Sequence, residues 1–188
     1  MKRSQRAAIL TLLNREMLRK GSWCGETHIQ KATFFLQDLL GVGAGFDFIL
    51  YRHGPFSFDL RDELSSMQAD DLLELAVRRE GYGPTYMPTP FSQTFLERFP
   101  KTTARYLEQI RFIADELSDK GVAELERLAT AFFIADREGV SDTARRAHRL
   151  VELKPHVSLS DARAACEQVD LLVERSHFFS LKEESPTE

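Results

Sequence analysis

The chain has 188 residues, 43% of them hydrophobic, a net charge of -4 and two cysteines. That content can bury a core in one domain, or in one domain with an appended subdomain; Cys24 and Cys166, with no CxxC and no nearby His pair, exclude a disulfide framework and a zinc site, so no metal and no cofactor is expected. The apolar stretch after Met-Lys-Arg-Ser-Gln-Arg is interrupted by Asn14, Arg15 and Glu16, too early for an export signal or a bilayer span, which sets the expectation of a cytoplasmic protein with reduced thiols and no membrane partner.

The first predicted helix carries Ile9, Leu12, Leu13 and Met17 at helical spacing, and Gly21 with Ser22 ends it. The next opens at Thr27 and Gln30, read as a capping box, with an apolar face of Ile29, Ala32, Phe35 or Leu36, Leu39 and Leu40. Gly41, Gly43 and Gly45 break it. Their GVGAG run follows a helix and not a strand, so it reads as a connector and not a phosphate loop. Phe46, Phe48 and Leu50 then alternate with Asp47, Ile49 and Tyr51 as in a half-buried strand, Gly54 and Pro55 turn the chain, and Ser57 caps a helix with Leu60, Leu64 and Met67 inside.

Leu72 to Arg79 and Pro84 to Thr89 pair across Gly81, Tyr82 and Gly83 as a hairpin, the prolines keeping the second arm at an edge. From Thr102 the pattern is helical: Leu107, Ile110, Ala114 and Leu117 in one segment, then Val122, Leu125, Leu128, Ala129, Phe132 and Phe133. Ser141 is expected to cap a further helix. Beyond Pro155, Ser158 and Asp161 open the last one, with a buried stripe of Ala162, Ala165 or Cys166, Val169 and Leu172. The expected architecture is mainly α (α+β): a winged-helix-like domain over residues 1-100 with a small β-hairpin wing, a helical bundle over 101-181, and a disordered tail over 182-188.

Gln30, Lys31, Phe34, Phe35 and Leu36, followed by Phe46, Phe48, Tyr51 and His53-Gly54-Pro55-Phe56-Ser57, resemble the YwgA-like proteins. Lys31, Phe34, Phe35, Gln37 and the Gly-Pro turn resemble, more distantly, the SocA-like or Panacea antitoxin domains. His53 stands where both patterns have a Tyr. The resemblance covers about a third of the chain and implies a small winged-helix-like fold; the Panacea likeness also implies an antitoxin-like role in binding a protein. It supplies no catalytic set.

Charge is unevenly placed. Residues 1 to 20 hold Lys2, Arg3, Arg6, Arg15, Arg19 and Lys20 against Glu16, while 57 to 74 hold Asp59, Asp62, Glu63, Asp70, Asp71 and Glu74 against Arg61; the two blocks face different partners or each other. In a winged helix the Ser57 helix would enter the DNA groove, yet Asp59, Asp62 and Glu63, read as its outward positions, repel phosphate. The leading expectation is therefore a non-enzymatic regulatory or antitoxin-like protein, with Arg52, His53, Phe56, Phe58, Asp59, Asp62 and Glu63 forming a protein-binding face. The alternative is a DNA-binding regulator using Lys2, Arg3, Arg6, Arg78, Arg79, Arg145, Arg146 and Arg149, against which stand a solvated N-terminus and a helix face paired with Asp142 or Glu152. His53 beside Ser57 invites a hydrolytic reading, but Ser57 already has work as a cap. Fourteen Phe residues exceed what a small core needs, so some of Phe56, Phe58, Phe91, Phe178 and Phe179 are expected at a partner or homodimer interface.

Overall fold

In order, residues 1–179 form α1 (Arg3–Arg19), α2 (Glu26–Phe34), β1 (Ile49–Tyr51), β2 (Gly54–Phe56), α3 (Phe58–Ala69), β3 (Leu73–Ala76), β4 (Thr85–Pro88), α4 (Pro90–Glu97), α5 (Pro100–Leu117), α6 (Val122–Arg137), α7 (Thr143–Leu153) and α8 (Leu159–Ser176). The structure is a computed structural model, and those residues are the ones it describes. The protein is mainly helical with two antiparallel hairpins, β1–β2 and β3–β4. None of the described helices is long and apolar enough to cross a membrane. The expected tail at 182-188 lies outside the described residues.

The predicted positions Ile9, Leu12, Leu13 and Met17 are buried on α1, but so are Ala8, Leu10, Thr11 and Asn14, because α5, α4, β4 and α2 pack around it. A helix enclosed this way must satisfy its polar side chains internally, and Asn14 Nδ2 donates to the Tyr86 carbonyl at 3.1 Å. One hydrophobic core runs from Ala7 to Leu172, so α5 and α6 share it with α1 and α2. Gly41, with φ +73°, follows the end of the second helix, whose last turn, Phe35–Leu39, is π-helical.

The alternation expected from Phe46 to Tyr51 holds in burial, with Phe46 and Phe48 inside, Leu50 half-buried and Asp47, Ile49 and Tyr51 exposed, and it extends back through Ala44 to Val42. Only Ile49–Tyr51 has a ladder partner, however, so most of this run is extended chain and not strand. Ser57 caps α3 through its Oγ, which accepts from Leu60 N–H at 3.3 Å, and Leu60, Leu64 and Met67 are buried beneath it. Four local expectations need correction. The first helix turn of α2 is capped by Gly25, not by Thr27 with Gln30. The β1–β2 turn is Arg52-His53, with Tyr51 opposite Gly54, so Gly54-Pro55 begins the return strand. Asp142, not Ser141, caps α7 by accepting from Arg145 N–H at 2.8 Å. Finally α4 precedes the expected helical onset, with Pro90 in its first turn.

Candidate functional site

The stretch Gln30 to Gln37 acts as a set of backbone clamps. Gln30 Nε2 donates to the Ser57 carbonyl and Ser57 N–H donates to Gln30 Oε1, both at 2.9 Å. Gln37 repeats the arrangement on Phe46, again with both bonds at 2.9 Å. Between them Lys31, only 1% exposed, donates its Nζ proton to the Pro55 carbonyl at 2.8 Å. An amide side chain offers one donor and one acceptor, so each Gln replaces a missing strand partner at a buried residue. Phe34 and Phe35, on the same helical segment, pack on Phe132 at centroid distances of 5.5 and 5.2 Å, which fixes the clamps relative to α6.

These contacts hold the β1–β2 hairpin against α2, and others tie it to α6 and to Lys154 at the end of α7. Lys154 Nζ donates to the Arg52 carbonyl, His53 Nδ1 lies 3.0 Å from Glu126 Oε1, and Gly54, at φ +84°, sits where a Cβ would be 2.8 Å from Thr130 Oγ1. The outer side of the hairpin carries an aromatic cluster. Tyr51, Phe56 and Phe58 stand 5.9, 5.5 and 5.1 Å apart in pairs, Phe56 edge-on to Phe58. Arg52 lies over Tyr51 at 5.9 Å and Arg61 over Phe58 at 5.0 Å. Tyr51 is 44% exposed, Phe58 40% and Ile49 45%, a grouping of large apolar groups in water that single scattered residues do not make.

Asp59 and Asp62 are exposed beside this cluster, as expected, but Glu63 is buried. Its carboxylate receives Arg3 and Arg6, each at 3.1 Å, and Arg3 also bonds Asp70 at 2.7 Å. The basic N-terminus and the acidic block therefore face each other. Glu63 leaves the proposed protein-binding face, and Arg3 and Arg6 are not free cations for phosphate. Arg146 needs the same correction: it is 2% exposed and its Nη2 donates to Asp170 Oδ1 and Oδ2 at 2.5 and 2.6 Å. Arg149 is held by Glu138 at 2.8 Å and Glu152 at 3.1 Å. Arg78 and Arg79 lie over Trp23 and Tyr82, at 5.2 and 4.6 Å. Among the described residues, Lys2 and Arg145 are the members of the basic set with neither an acidic partner nor a ring beneath them.

Ser57 is fully buried and committed to Gln30 and Leu60, while His53 turns to Glu126, so the two do not form a nucleophile and base pair. Phe58 and Phe91 are exposed and Phe178 is 90% exposed, whereas Phe56 is half-buried and Phe179 stacks on Phe112 at 4.7 Å. Among the described residues no group of His, Cys, Asp and Glu is arranged to hold a metal ion.

Burial pushes the Lys31 ammonium down to about 8, with Lys154 adding to the effect and Glu126 opposing it. Burial pushes the thiols of Cys24 and Cys166 up to about 11. Between about pH 8 and an ordinary lysine value of 10.5, the unfolded chain holds a Lys31 proton that the folded chain has released, so stability rises with pH. Between an ordinary thiol value of 9.0 and about 11 the folded chain keeps two protons that the unfolded chain has lost, so stability falls. Thermal unfolding across this range should give a maximum at roughly pH 9. Lys31→Met should shrink the rising limb, to which Lys154, also lowered by burial, adds, and Cys24→Ala with Cys166→Ala the falling one, to which Tyr86, raised by burial, adds; a flat profile in the parent protein would show that neither set titrates as described.

The clamping role of Gln30, Lys31 and Gln37, and a second set of residues around Trp23, His28 and Ser118, are not legible in the sequence because each depends on a partner outside its own helix. Gln30, Lys31 and Gln37 stand out in the sequence through the family resemblance, and Gln30 also as a capping-box candidate, but neither names a backbone partner for them. A scan of the chain against models of known protein families finds no match, and no curated protein matches it.

Proposed function

We propose that this protein is a non-enzymatic regulatory or antitoxin-like protein that acts through protein contacts on a winged-helix-like scaffold, with α2, α3 and the β3–β4 wing as the winged-helix parts. The recognition face consists of Tyr51, Phe56 and Phe58, flanked by Arg52, His53, Asp59 and Asp62. The observation that carries this reading is the exposed aromatic cluster mounted on a hairpin that Lys31, Lys154, Gln30 and Glu126 hold in place. Rigid aromatic anchors with arginine neighbours and a polar rim are the composition of interface hot spots, and preorganisation lowers the entropy lost on docking. Asp59 and Asp62 favour a partner with basic groups around an apolar centre. The rival DNA reading draws less support, because Arg3, Arg6, Arg146 and Arg149 are neutralised within the chain.

The test is capture of partners from native extract by the parent protein, by Tyr51→Ser with Phe58→Ser, and by Arg145→Glu with Arg149→Glu. A partner retained by the arginine variant and weakened about thirtyfold or more by the aromatic variant is the expected result. Equal retention by both variants would refute the face. In parallel, anisotropy of random duplex DNA should show no salt-sensitive binding; binding lost in the Arg145 and Arg149 variant would reinstate the DNA reading.

A further inference from the structure

A separate cavity of about 780 Å³ opens between the start of α2, the β3–β4 hairpin and the α5–α6 loop, a size suited to a small organic ligand. Trp23 and Tyr82 form one wall, with ring centroids 5.4 Å apart at 46°. Trp23 is fixed in orientation, since its Nε1 donates to the Gly83 carbonyl at 2.9 Å. Gly25 permits this: a Cβ there would lie 3.2 Å from Trp23 Cδ1.

Two lining groups are polar, buried and unsatisfied. His28 is 4% exposed and Ser118 is 5% exposed, yet His28 Nδ1 and Ser118 Oγ have no hydrogen-bond partner within the described residues. Such groups are rarely left unpaired in folded proteins, because each loses the full hydration it had in water. At the same cavity Gly25 precedes α2 and Gly121 precedes α6 as their N-cap residues, and neither glycine supplies a side-chain cap for the first-turn N–H groups. The lining thus offers two kinds of independent hydrogen-bonding capacity around one space.

The charges decide what can fill it. Glu26 and Asp119 line the opening and are exposed, which opposes an anion. Lys120 does not offset them, being tied to Glu124 at 3.1 Å and Asp119 at 3.7 Å. A cation lodged against the lining would meet the positive ends of α2 and α6. Burial also holds His28 toward its neutral form, the Lys120 backbone opposing, so the imidazole can both donate and accept. We infer that this cavity binds a small uncharged heteroaromatic molecule, its ring against Trp23 and Tyr82 and its hydrogen-bonding edge on His28 Nδ1, Ser118 Oγ and the first-turn amides of α2 and α6.

Trp23 is the only tryptophan, so a ¹H–¹⁵N spectrum contains a single indole signal from the site itself. The probes are adenine, hypoxanthine and quinazolin-4-one, with benzoate and inosine monophosphate as anionic counterparts. At least one uncharged probe should shift the indole signal saturably, and Ser118→Val should weaken that probe about tenfold. Tyr82→Ala, on the exposed tip of the hairpin, should weaken it comparably with the rest of the spectrum unchanged. No saturable shift from any uncharged probe at millimolar concentration overturns the inference. So does tighter binding of either anion, or binding indifferent to both substitutions.

Discussion

Gly54→Ala should destabilise the protein by about 3 to 4 kcal/mol and lower its Tm by roughly 10 °C. Two separate effects add. Gly54 has φ +84°, where an L side chain meets its own backbone, which costs about 1 to 2 kcal/mol. The new Cβ would also lie 2.8 Å from Thr130 Oγ1 and 3.4 Å from the Glu126 carbonyl. Thr130 cannot simply swing aside, because its hydroxyl donates to that same carbonyl at 2.7 Å. Gly139→Ala is the control: φ is +67° but the space around it is open, so only the backbone effect remains, about 1 kcal/mol. Urea unfolding of the two variants measures the difference. Equal destabilisation would mean that the hairpin is not seated on α6 as described, and the presentation of Tyr51 and Phe58 would have to be reconsidered with it.

The second large effect is expected at Arg146 and Asp170, and it is asymmetric. Asp170→Ala leaves a guanidinium that is 2% exposed without its carboxylate, and should destabilise by about 3 kcal/mol. That figure is the low end for a buried pair, since Asp170 is itself half-exposed and water screens part of the interaction. Thr143 reinforces the pair, accepting from Arg146 Nη2 at 3.2 Å and donating to Asp170 Oδ2 at 3.0 Å. Arg146→Met, by contrast, removes the buried charge together with its desolvation penalty and keeps most of the side-chain volume. It should change stability by no more than about 1 kcal/mol. Thermal and urea unfolding of both single variants and of the double variant decides the matter. A loss in Arg146→Met as large as that in Asp170→Ala would show that the pair is net stabilising and not merely compensated.

Periodicity and caps made the helical parts legible. The stripe Ala162, Ala165, Cys166, Val169 and Leu172 is buried as its spacing demands, and Ser57 and Ser158 cap the helices they precede. The alternation from Phe46 to Tyr51 was legible as burial, but only Ile49–Tyr51 is strand, because upstream of it the ladder partner is absent and Gln37 substitutes for it at Phe46. Arg52-His53 was not legible as the turn, since Gly54-Pro55 carries the stronger local turn chemistry; Gly54 is needed for its close approach to α6 instead.

The same division holds for the candidate site. The sequence determined which residues are aromatic, which helices are amphipathic and where charge accumulates, because those properties follow from local spacing. Only tertiary structure decided that Glu63 turns inward to Arg3 and Arg6, that Arg146 is buried on Asp170, and that Gln30 and Lys31 grip Ser57 and Pro55. The physical reason is that a charged or amide side chain takes its role from whichever group lies within about 3 Å of it, and at these positions that group comes from a distant part of the chain.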